Sequence, residues 1–400
     1  MPNTERLARR AMNLSTRLPA PHFPSEFGQE TILFDSGFAA PQLLPDLAPY
    51  ATAALSEHRE ETLQYASGRG QPYLREWLAD WMNDEGCALT ADHILVTNGA
   101  KQGIDLVCRL LLDEGDAIVV TAPTYFTAIP LFRNYGIHFI EAAQDDAGID
   151  VAALERQLER RAAEGHPPPK FIYNIPEFHN PTGATMPADR RAALVALARA
   201  RGIALVEDSP YRRVRFDGDG GPLLKSLDTD GTVFHVGTFS KLVAPGLRIG
   251  WVAADPVHIA RMIQLKAEGG SSPLIQRIIH GFASSSAFPD HIARVQAAYR
   301  ERRDAIVAAI ARDLPGAHVA VPEGGYYVWL TLPEAVDGDL LAEQAAAAGV
   351  HLIAGSRFFA VQNDATPRNH IRLSFSYTTP TQIDDGIQRL GAVYRKMTAQ

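Results

Sequence analysis

Short apolar runs alternate with longer amphipathic stretches through the middle of the chain. The runs are rich in Val, Ile and Phe and span four to seven residues each, which predicts strands. They lie at residues 94–97, 117–121, 139–142, 171–174, 203–206, 233–236 and 247–253. Between them apolar residues recur with helical spacing, most clearly at residues 100–112, 151–163 and 188–201. This alternation predicts a mainly parallel seven-stranded sheet with helices on both faces.

The seventh run differs from the others in its spacing. Residues 247–253 follow the run at 233–236 too closely for a helical crossover, which a parallel connection would need. We therefore expect this strand to run antiparallel to its neighbours.

The pattern changes after Pro289. A long helical pattern covers residues 290–312, and strand patterns follow near Val319 and at residues 326–332 and 371–375. Helical patterns at residues 340–348 and 381–397 accompany them. This mixture predicts a second, smaller α+β domain.

Composition narrows the class of protein. Of the 400 residues 46% are hydrophobic and 21% charged, the balance of a soluble globular protein. A formal net charge of −8 argues against nucleic acid as a partner, and no apolar run is long enough to span a membrane. Two cysteines form neither a disulfide framework nor a zinc site, so no metal is expected. Together with an N-terminus that lacks an apolar signal region, these features predict a cytoplasmic protein.

The strongest chemical signal is the segment at residues 238–250. It places Thr238, Ser240, Lys241 and Arg248 in a loop bounded by glycine and proline, directly after a predicted buried strand. In an open α/β sheet, ligands bind outside the carboxyl ends of the strands. Burial and a nearby cation both lower a lysine's pKa and favour the nucleophilic amine. For Lys241 taken alone, a solvated loop lysine is an equally good interpretation.

Three further motifs end predicted strands. Asn180 lies in a Pro-x-x-x-Asn-Pro-Thr-Gly segment, Asp208 ends the run before Ser-Pro-Tyr, and Gly99 opens a predicted helix. Each has an ordinary structural explanation, namely a turn, a helix cap and a strand-to-helix connection. Their functional interpretations are an amide donor, a carboxylate for a protonated ring nitrogen, and a helix start that binds phosphate.

In this order, the four motifs resemble the fold-type I pyridoxal-phosphate (PLP) enzymes, in their class I/II aminotransferase branch. The Ser-Lys-x-x-x-Pro-Gly-x-Arg-x-Gly segment is the most specific, and the likeness runs from about Phe34 to the C-terminus. In particular, the chain looks like the subgroup that contains aminoadipate and kynurenine aminotransferases and the effector domains of MocR-type regulators. The resemblance implies an N-terminal segment (1–49) that joins the small domain and covers the active site, a large PLP-binding domain (50–288) and a small domain (289–400).

The resemblance also implies roles for the matching residues. Lys241 would hold PLP as a Schiff base, Asp208 would pair with the ring nitrogen, and Tyr125 would stack on the ring. Asn180 and Tyr211 would hydrogen-bond the phenolic oxygen. The phosphate would be bound by a group of residues around the first turn of the predicted helix at 100–112: Gly99, Ala100, Lys101, Thr238, Ser240 and Arg248.

Three further residues match positions that face the substrate or the neighbouring subunit. Arg372 matches the arginine that binds the substrate α-carboxylate, and Gly37 matches a glycine that lets the N-terminal segment lie over the substrate. Asn180 would face the substrate as well as the cofactor. Tyr65 matches a tyrosine that reaches the phosphate of the neighbouring subunit, so a homodimer with shared active sites is implied.

The implied activity is transfer of an amino group between an L-amino acid and a 2-oxo acid. The same cofactor residues serve a C–S β-lyase, a racemase or an amino-acid oxidase, so these alternatives stay open. A PLP-sensing regulator domain is disfavoured, because fewer than 40 residues precede the family likeness. The sequence assigns no role to Lys101's side chain, to His179 or to Arg17, and it does not identify the donor and acceptor.

Overall fold

In the computed structural model of the chain, the structure describes residues 30–398. The strands of this part are β1 Ile32–Leu33, β2 Ile94–Thr97, β3 Ala117–Ala122, β4 His138–Asp145, β5 Gly148–Ile149, β6 Phe171–Asn174, β7 Ala204–Asp208, β8 Val233–Thr238, β9 Gly250–Ala253, β10 His318–Val319, β11 Tyr327–Thr331, β12 Val350–His351, β13 Ile353–Ala354 and β14 His370–Ser374. The helices are α1 Ala48–Glu57, α2 Arg59–Thr62, α3 Pro72–Asn83, α4 Ala100–Leu111, α5 Ala128–Arg133, α6 Val151–Ala163, α7 Ala188–Arg201, α8 Pro256–Leu265, α9 Pro273–Ala283, α10 Ala287–Asp313, α11 Gly338–Ala347 and α12 Pro380–Thr398.

The large sheet has the strand order β2-β9-β8-β7-β6-β3-β4-β5. Strands β8, β7, β6, β3 and β4 are parallel to one another, and β9 is antiparallel to both of its neighbours. The mainly parallel sheet and its antiparallel seventh strand are thus confirmed. An eighth strand, β5, has only two residues and was not predicted.

The antiparallel strand begins later than predicted, at Gly250 rather than Leu247. Residues 245–247 form a turn of 3-10 helix, and Arg248 follows with a φ of 54°. Such left-handed backbone cannot continue a strand.

Burial explains why the central strands read as unbroken apolar runs. Every residue of β6 and β8 is buried, because helices cover both faces of the sheet. The carboxyl ends of β6, β7 and β8 carry Asn174, Asp208 and Thr238. These three strand ends therefore meet at one edge of the sheet.

A second, antiparallel sheet has the order β10-β11-β14-β13 and packs with α10 and α12 around its own core. The early segment joins this part of the molecule, since β1 pairs in parallel with β12. Phe34 N–H donates to His351 O at 2.7 Å. The residue limits predicted for the domains stay a prediction.

The two sheets meet beside the carboxyl edge of the large one. Arg215 forms an isolated antiparallel bridge with Gly324, and the hydroxyl of Tyr326 donates to Lys241 O at 2.6 Å. In residues 30–398, none of the helices combines the length and the apolar character needed to cross a membrane.

Candidate active site

A cavity of about 270 Å³ lies at the carboxyl edge of the large sheet, and all four sequence motifs contribute to it. Its lining residues are Ala100, Lys101, Ile104, Tyr125, Ile175, Asn180, Asp208, Pro210, Tyr211, Thr238, Ser240, Lys241, Pro245 and Arg248. The structure thus brings together residues that are more than 140 positions apart in the chain.

Lys241 lies in the loop after β8, with its amine partly buried at the cavity. Its Nζ donates to Gly37 O at 2.8 Å. Burial lowers the pKa of this amine, and the nearby cations Arg372 and Arg248 lower it further. A larger fraction of Lys241 is therefore the neutral, nucleophilic amine than for a lysine in water.

Asp208 ends β7 and is 2% exposed. Its Oδ2 accepts a hydrogen bond from the Tyr173 hydroxyl at 2.6 Å, whereas Oδ1 is buried without a hydrogen-bond partner in the described part of the chain. Burial raises the pKa of this carboxyl to about 6. A buried carboxylate oxygen without a partner is costly, so Asp208 suits a ligand that brings a cation or a donor.

The start of α4 forms a candidate anion site. No side chain caps the start of this helix. The backbone N–H groups of its first turn, which lies at the cavity, are therefore not occupied by a capping side chain. Ser240 and Arg248 lie beside them, and Thr238 Oγ1 accepts from Ser240 N–H at 3.1 Å. Thr238 therefore helps to fix Ser240 as well as lining the cavity.

Gly99 allows Arg248 to approach this helix start. Gly99 has a φ of +83°, and a Cβ added there would lie 2.5 Å from Arg248 Nη2. The guanidinium donates to Asn98 O at 3.0 Å. Any side chain at residue 99 would therefore displace the arginine from the anion site.

The amine, the unpartnered carboxylate oxygen and the anion site fit PLP. They match its aldehyde carbon, its basic ring nitrogen and its phosphate. Asn180 and Tyr211 also line the cavity, and both are buried. Tyr125 lines it too, and burial raises the pKa of its phenol to about 12, so the ring is uncharged at neutral pH.

Arg372 lies on β14 and is 1% exposed. Its Nη1 donates to Asn180 Oδ1 at 3.0 Å, and its Nη2 donates to Asp35 O. The guanidinium lies against three aromatic rings, with its carbon 4.1 Å from the Tyr327 centroid, 5.1 Å from Phe358 and 5.5 Å from Phe126. It thus contacts Asn180, which lines the cavity, from the second sheet.

Gly37 is required where it stands because a Cβ there would meet the Tyr327 hydroxyl at 2.2 Å and the Lys241 amine at 3.4 Å. A side chain at residue 37 would therefore have to displace the Tyr327 hydroxyl, whereas the contact with the Lys241 amine would be an ordinary one. The position of Gly37 beside Lys241 agrees with a site that this segment covers.

Tyr65 is not brought into the cavity by its own chain. Its side chain is 98% exposed, which is unusual for a tyrosine. The segment behind it is nevertheless anchored, since the buried amine of Lys266 donates to Gly68 O at 3.2 Å and to Val96 O at 2.9 Å. Tyr65 thus projects from a fixed segment into solvent.

The sequence left Lys101, His179 and Arg17 without a role, and the structure describes the surroundings of the first two. Lys101 is exposed at the rim of the cavity, where its charge adds to that of Arg248. His179 is 2% exposed, and its two ring nitrogens contact Thr121 Oγ1 at 3.1 Å and Thr182 Oγ1 at 3.0 Å. Burial lowers its pKa to about 3, so it is a neutral structural histidine behind Asn180. Arg17 lies outside the described residues.

Sequence reasoning missed the tyrosines around the site. Tyr173 holds Asp208, and Tyr327 contacts Tyr211 with 3.3 Å between the hydroxyl oxygens. Although burial opposes ionisation, Arg372 and Lys241 lower the pKa of Tyr327. A Gly-Gly-Tyr-Tyr sequence at residues 324–327 is a signal that could have drawn attention to it.

Known proteins resemble the chain over nearly its whole length. The family model described as aminotransferase class I and II matches residues 35–390. Aromatic-amino-acid aminotransferase 1 of Thermococcus litoralis is 35% identical over 374 residues, which are 92% of this chain and 88% of that protein. The crystal structure of a multiple substrate aminotransferase from Thermococcus profundus has a TM-score of 0.93 and 34% identity, with 100% of both chains covered. The structure of LysN, the alpha-aminoadipate aminotransferase of Thermus thermophilus, contains N-(5'-phosphopyridoxyl)-L-leucine. It has a TM-score of 0.88 and 31% identity, with 99% of both chains covered.

Proposed function

Because the chain belongs to the aminotransferase class I and II family, we propose that Lys241 is the residue on which its amino-group transfer depends. The enzyme is a PLP-dependent aminotransferase. PLP, when bound, supplies an aldehyde that condenses with amines and a ring that withdraws electrons from the substrate α-carbon. The observation that carries the proposal is that the low-pKa amine of Lys241, the unpartnered Oδ1 of Asp208 and the anion site lie at the same cavity.

Each of these residues has a distinct task. The amine of Lys241 would hold the cofactor and would move the proton at the substrate α-carbon. The carboxylate of Asp208 would pair with the ring nitrogen of PLP and keep it protonated in a site with little water. Asn180 and Tyr211 would donate to the phenolic oxygen of PLP. Arg248, Ser240 and the start of α4 would hold its phosphate.

The surroundings of Arg372 favour amino-acid substrates with large side chains. Arg372 presents a planar fork suited to an α-carboxylate, and Phe126, Tyr327 and Phe358 provide apolar ring surface around it. Relatives are named for aromatic amino acids and for 2-aminoadipate. We propose aromatic L-amino acids as donors for this chain too.

A panel of amino donors tests the function. Transamination produces the 2-oxo acid of the donor only when an acceptor is present, and it releases neither ammonia nor peroxide. Elimination releases ammonia, and oxidation releases peroxide as well. Measuring all three products from phenylalanine, tyrosine, alanine and cysteine separates these reactions, and ammonia as the main product would contradict the proposal.

Replacing Arg372 by lysine should weaken the binding of every substrate to a similar extent. Lysine keeps the charge but loses the bidentate fork, so kcat/KM should fall about 10- to 100-fold, mainly through KM. Steady-state kinetics with phenylalanine and alanine measure this, because both share the α-carboxylate and differ in the side chain. A loss confined to phenylalanine would place Arg372 in the side-chain pocket instead.

We also propose that the enzyme is a homodimer and that Tyr65 completes the phosphate site of the partner subunit. The support is its 98% exposure on a segment anchored by Lys266, which suits a side chain with a partner outside its own chain. In a two-fold dimer one patch serves both sites, so each phosphate gains a hydroxyl.

We retain the cytoplasm as the proposed location, which the unpaired and buried Cys87 and Cys108 support.

Mixing two inactive variants tests the shared site. Tyr65→Glu places a carboxylate against the phosphate and should abolish activity, and Lys241→Ala abolishes it independently. In a heterodimer one site carries both changes and the other carries neither, so random exchange should restore about a quarter of wild-type activity. Tyr65→Gln, of the same size but uncharged, is the matched control for Tyr65→Glu. If native mass spectrometry shows exchanged subunits and no activity returns, Tyr65 does not act across the interface.

A further inference from the structure

Lys266 is a buried lysine with three oxygen acceptors, none of which is a carboxylate. It begins the loop between α8 and α9 and is 3% exposed. Its Nζ donates to Gly68 O at 3.2 Å, to Val96 O at 2.9 Å and to Ser271 Oγ at 3.3 Å. Burial lowers the pKa of this amine to about 8, whereas the charge of Glu268 opposes the shift. A lysine is rarely buried without an opposite charge beside it, so these three contacts indicate a specific task.

The lysine ties the connection between α2 and α3 at residues 63–71, called here the Tyr65 segment, to strand β2. Because β2 lies at the edge of the large sheet, its outer backbone groups have no strand partner. Instead, Val96 N–H donates to Arg69 O at 2.9 Å, and Val96 O accepts from Lys266. The amine therefore completes a pairing between the sheet edge and the Tyr65 segment.

The loop between α8 and α9 also packs directly against the Tyr65 segment. Gly270 of this loop lies so close that an added Cβ would meet Ser67 O at 2.8 Å and Ala66 Cβ at 2.9 Å. The backbone next to Tyr65 is thus closely packed, although the tyrosine side chain itself is 98% exposed. A fixed backbone sets the direction in which such an exposed side chain projects.

We infer that Lys266 is a positioning residue for Tyr65, because it holds the segment so that the tyrosine hydroxyl reaches the cofactor phosphate of the partner subunit. This rests on the proposed function, in which Tyr65 completes that phosphate site. An ammonium group has three donors and serves acceptors in several directions. An apolar side chain in its place would leave Gly68 O and Val96 O without this donor, and the segment would shift to find others.

Binding of PLP and of pyridoxal, which lacks the phosphate, tests this role in the full-length protein. The absorbance of the bound cofactor gives both Kd values without any turnover. In Lys266→Met, the Kd of PLP should rise about 10-fold, while that of pyridoxal stays within about twofold. Lys266→Arg keeps a cation with several donors and should recover most of the affinity for PLP. Lys225→Met is the matched control, because Lys225 is also buried and donates to Val233 O at 3.0 Å, and it should change neither Kd.

Gly270→Ala displaces the same segment without removing a charge or a donor. It should raise the Kd of PLP by a similar factor and leave that of pyridoxal unchanged, because the added methyl group pushes against Ser67 O and Ala66. This variant keeps the test decisive even if Lys266→Met folds poorly. Equal losses of PLP and pyridoxal in Gly270→Ala and Lys266→Met would make the contact purely structural and overturn the inference.

Tyr65→Phe shows which phosphate contact Lys266 serves, since β2 also leads into α4 and the anion site of the lysine's own subunit. The Kd of PLP should rise about 10-fold in Tyr65→Phe, and adding Lys266→Met should raise it less than about twofold further, because both changes affect one hydroxyl. A full further loss would show that Lys266 acts through its own anion site, and the inference would be wrong. No loss in Tyr65→Phe would refute the proposed role of Tyr65 and the inference with it. A loss in Tyr65→Phe with none in Lys266→Met would refute the inference alone.

Discussion

Replacing Lys241 by alanine should lower kcat by about 10⁴-fold or more, because the substitution removes both the attachment point of the cofactor and the base that moves the α-proton. Burial beside Arg372 and Arg248 makes this amine unusually available for both tasks. The same substitution should abolish covalent attachment of the cofactor. Borohydride reduction followed by peptide mass mapping measures that directly, and it requires no turnover.

A second lysine at the same cavity provides the matched control. Lys101 lines the cavity as Lys241 does but lies at its exposed rim. In Lys101→Ala, reduction should still label the peptide that contains Lys241. A phosphopyridoxyl label on any peptide of Lys241→Ala would show that another residue holds the cofactor.

Asp208→Asn should bind PLP and lower kcat by about 10³-fold with little change in KM. The amide keeps the shape and can still accept from Tyr173, but it cannot pair with a protonated ring nitrogen. Removing an electrostatic group of this kind lowers kcat by about 10²- to 10³-fold, because the group stabilises the transition state more than the bound substrate. Steady-state kinetics with saturating PLP measure it, and a kcat within threefold of wild type would exclude this role.

The stability of the cofactor-free protein shows whether that variant folds normally. Burial raises the folded pKa of Asp208 from 3.8 to about 6, so the folded state binds a proton more readily than the unfolded state between these values. Wild-type stability should therefore fall as the pH rises through this window. Asp208→Asn lacks this dependence and should be at least as stable as the wild type at pH 8 in urea unfolding.

The parts of the fold and site that sequence predicts are local in the chain. Lys241, Asp208 and Asn180 each follow an apolar run, and the carboxyl ends of parallel strands necessarily meet at one edge. The resemblance to class I/II aminotransferases, confirmed by the family match, rested on these same segments. The mainly parallel character of the large sheet and the long helix α10 followed from periodicity alone.

The missed features depend on contacts between distant segments. Strands β1, β12 and β13 have two residues each, too few for any period to show. Tyr327 meets Tyr211 across 116 residues, and only the packing of the two sheets places them together.

The contacts of Arg372 preorganise this side chain for its proposed task of binding the substrate α-carboxylate. Its guanidinium already donates to Asn180 and to Asp35 O and is confined between aromatic rings, so the side chain has little rotameric freedom left to lose. An arriving carboxylate therefore exchanges one set of hydrogen bonds for another instead of ordering a mobile arm. With Arg372 in its proposed role, most of the entropic cost of orienting the substrate carboxylate would be met during folding.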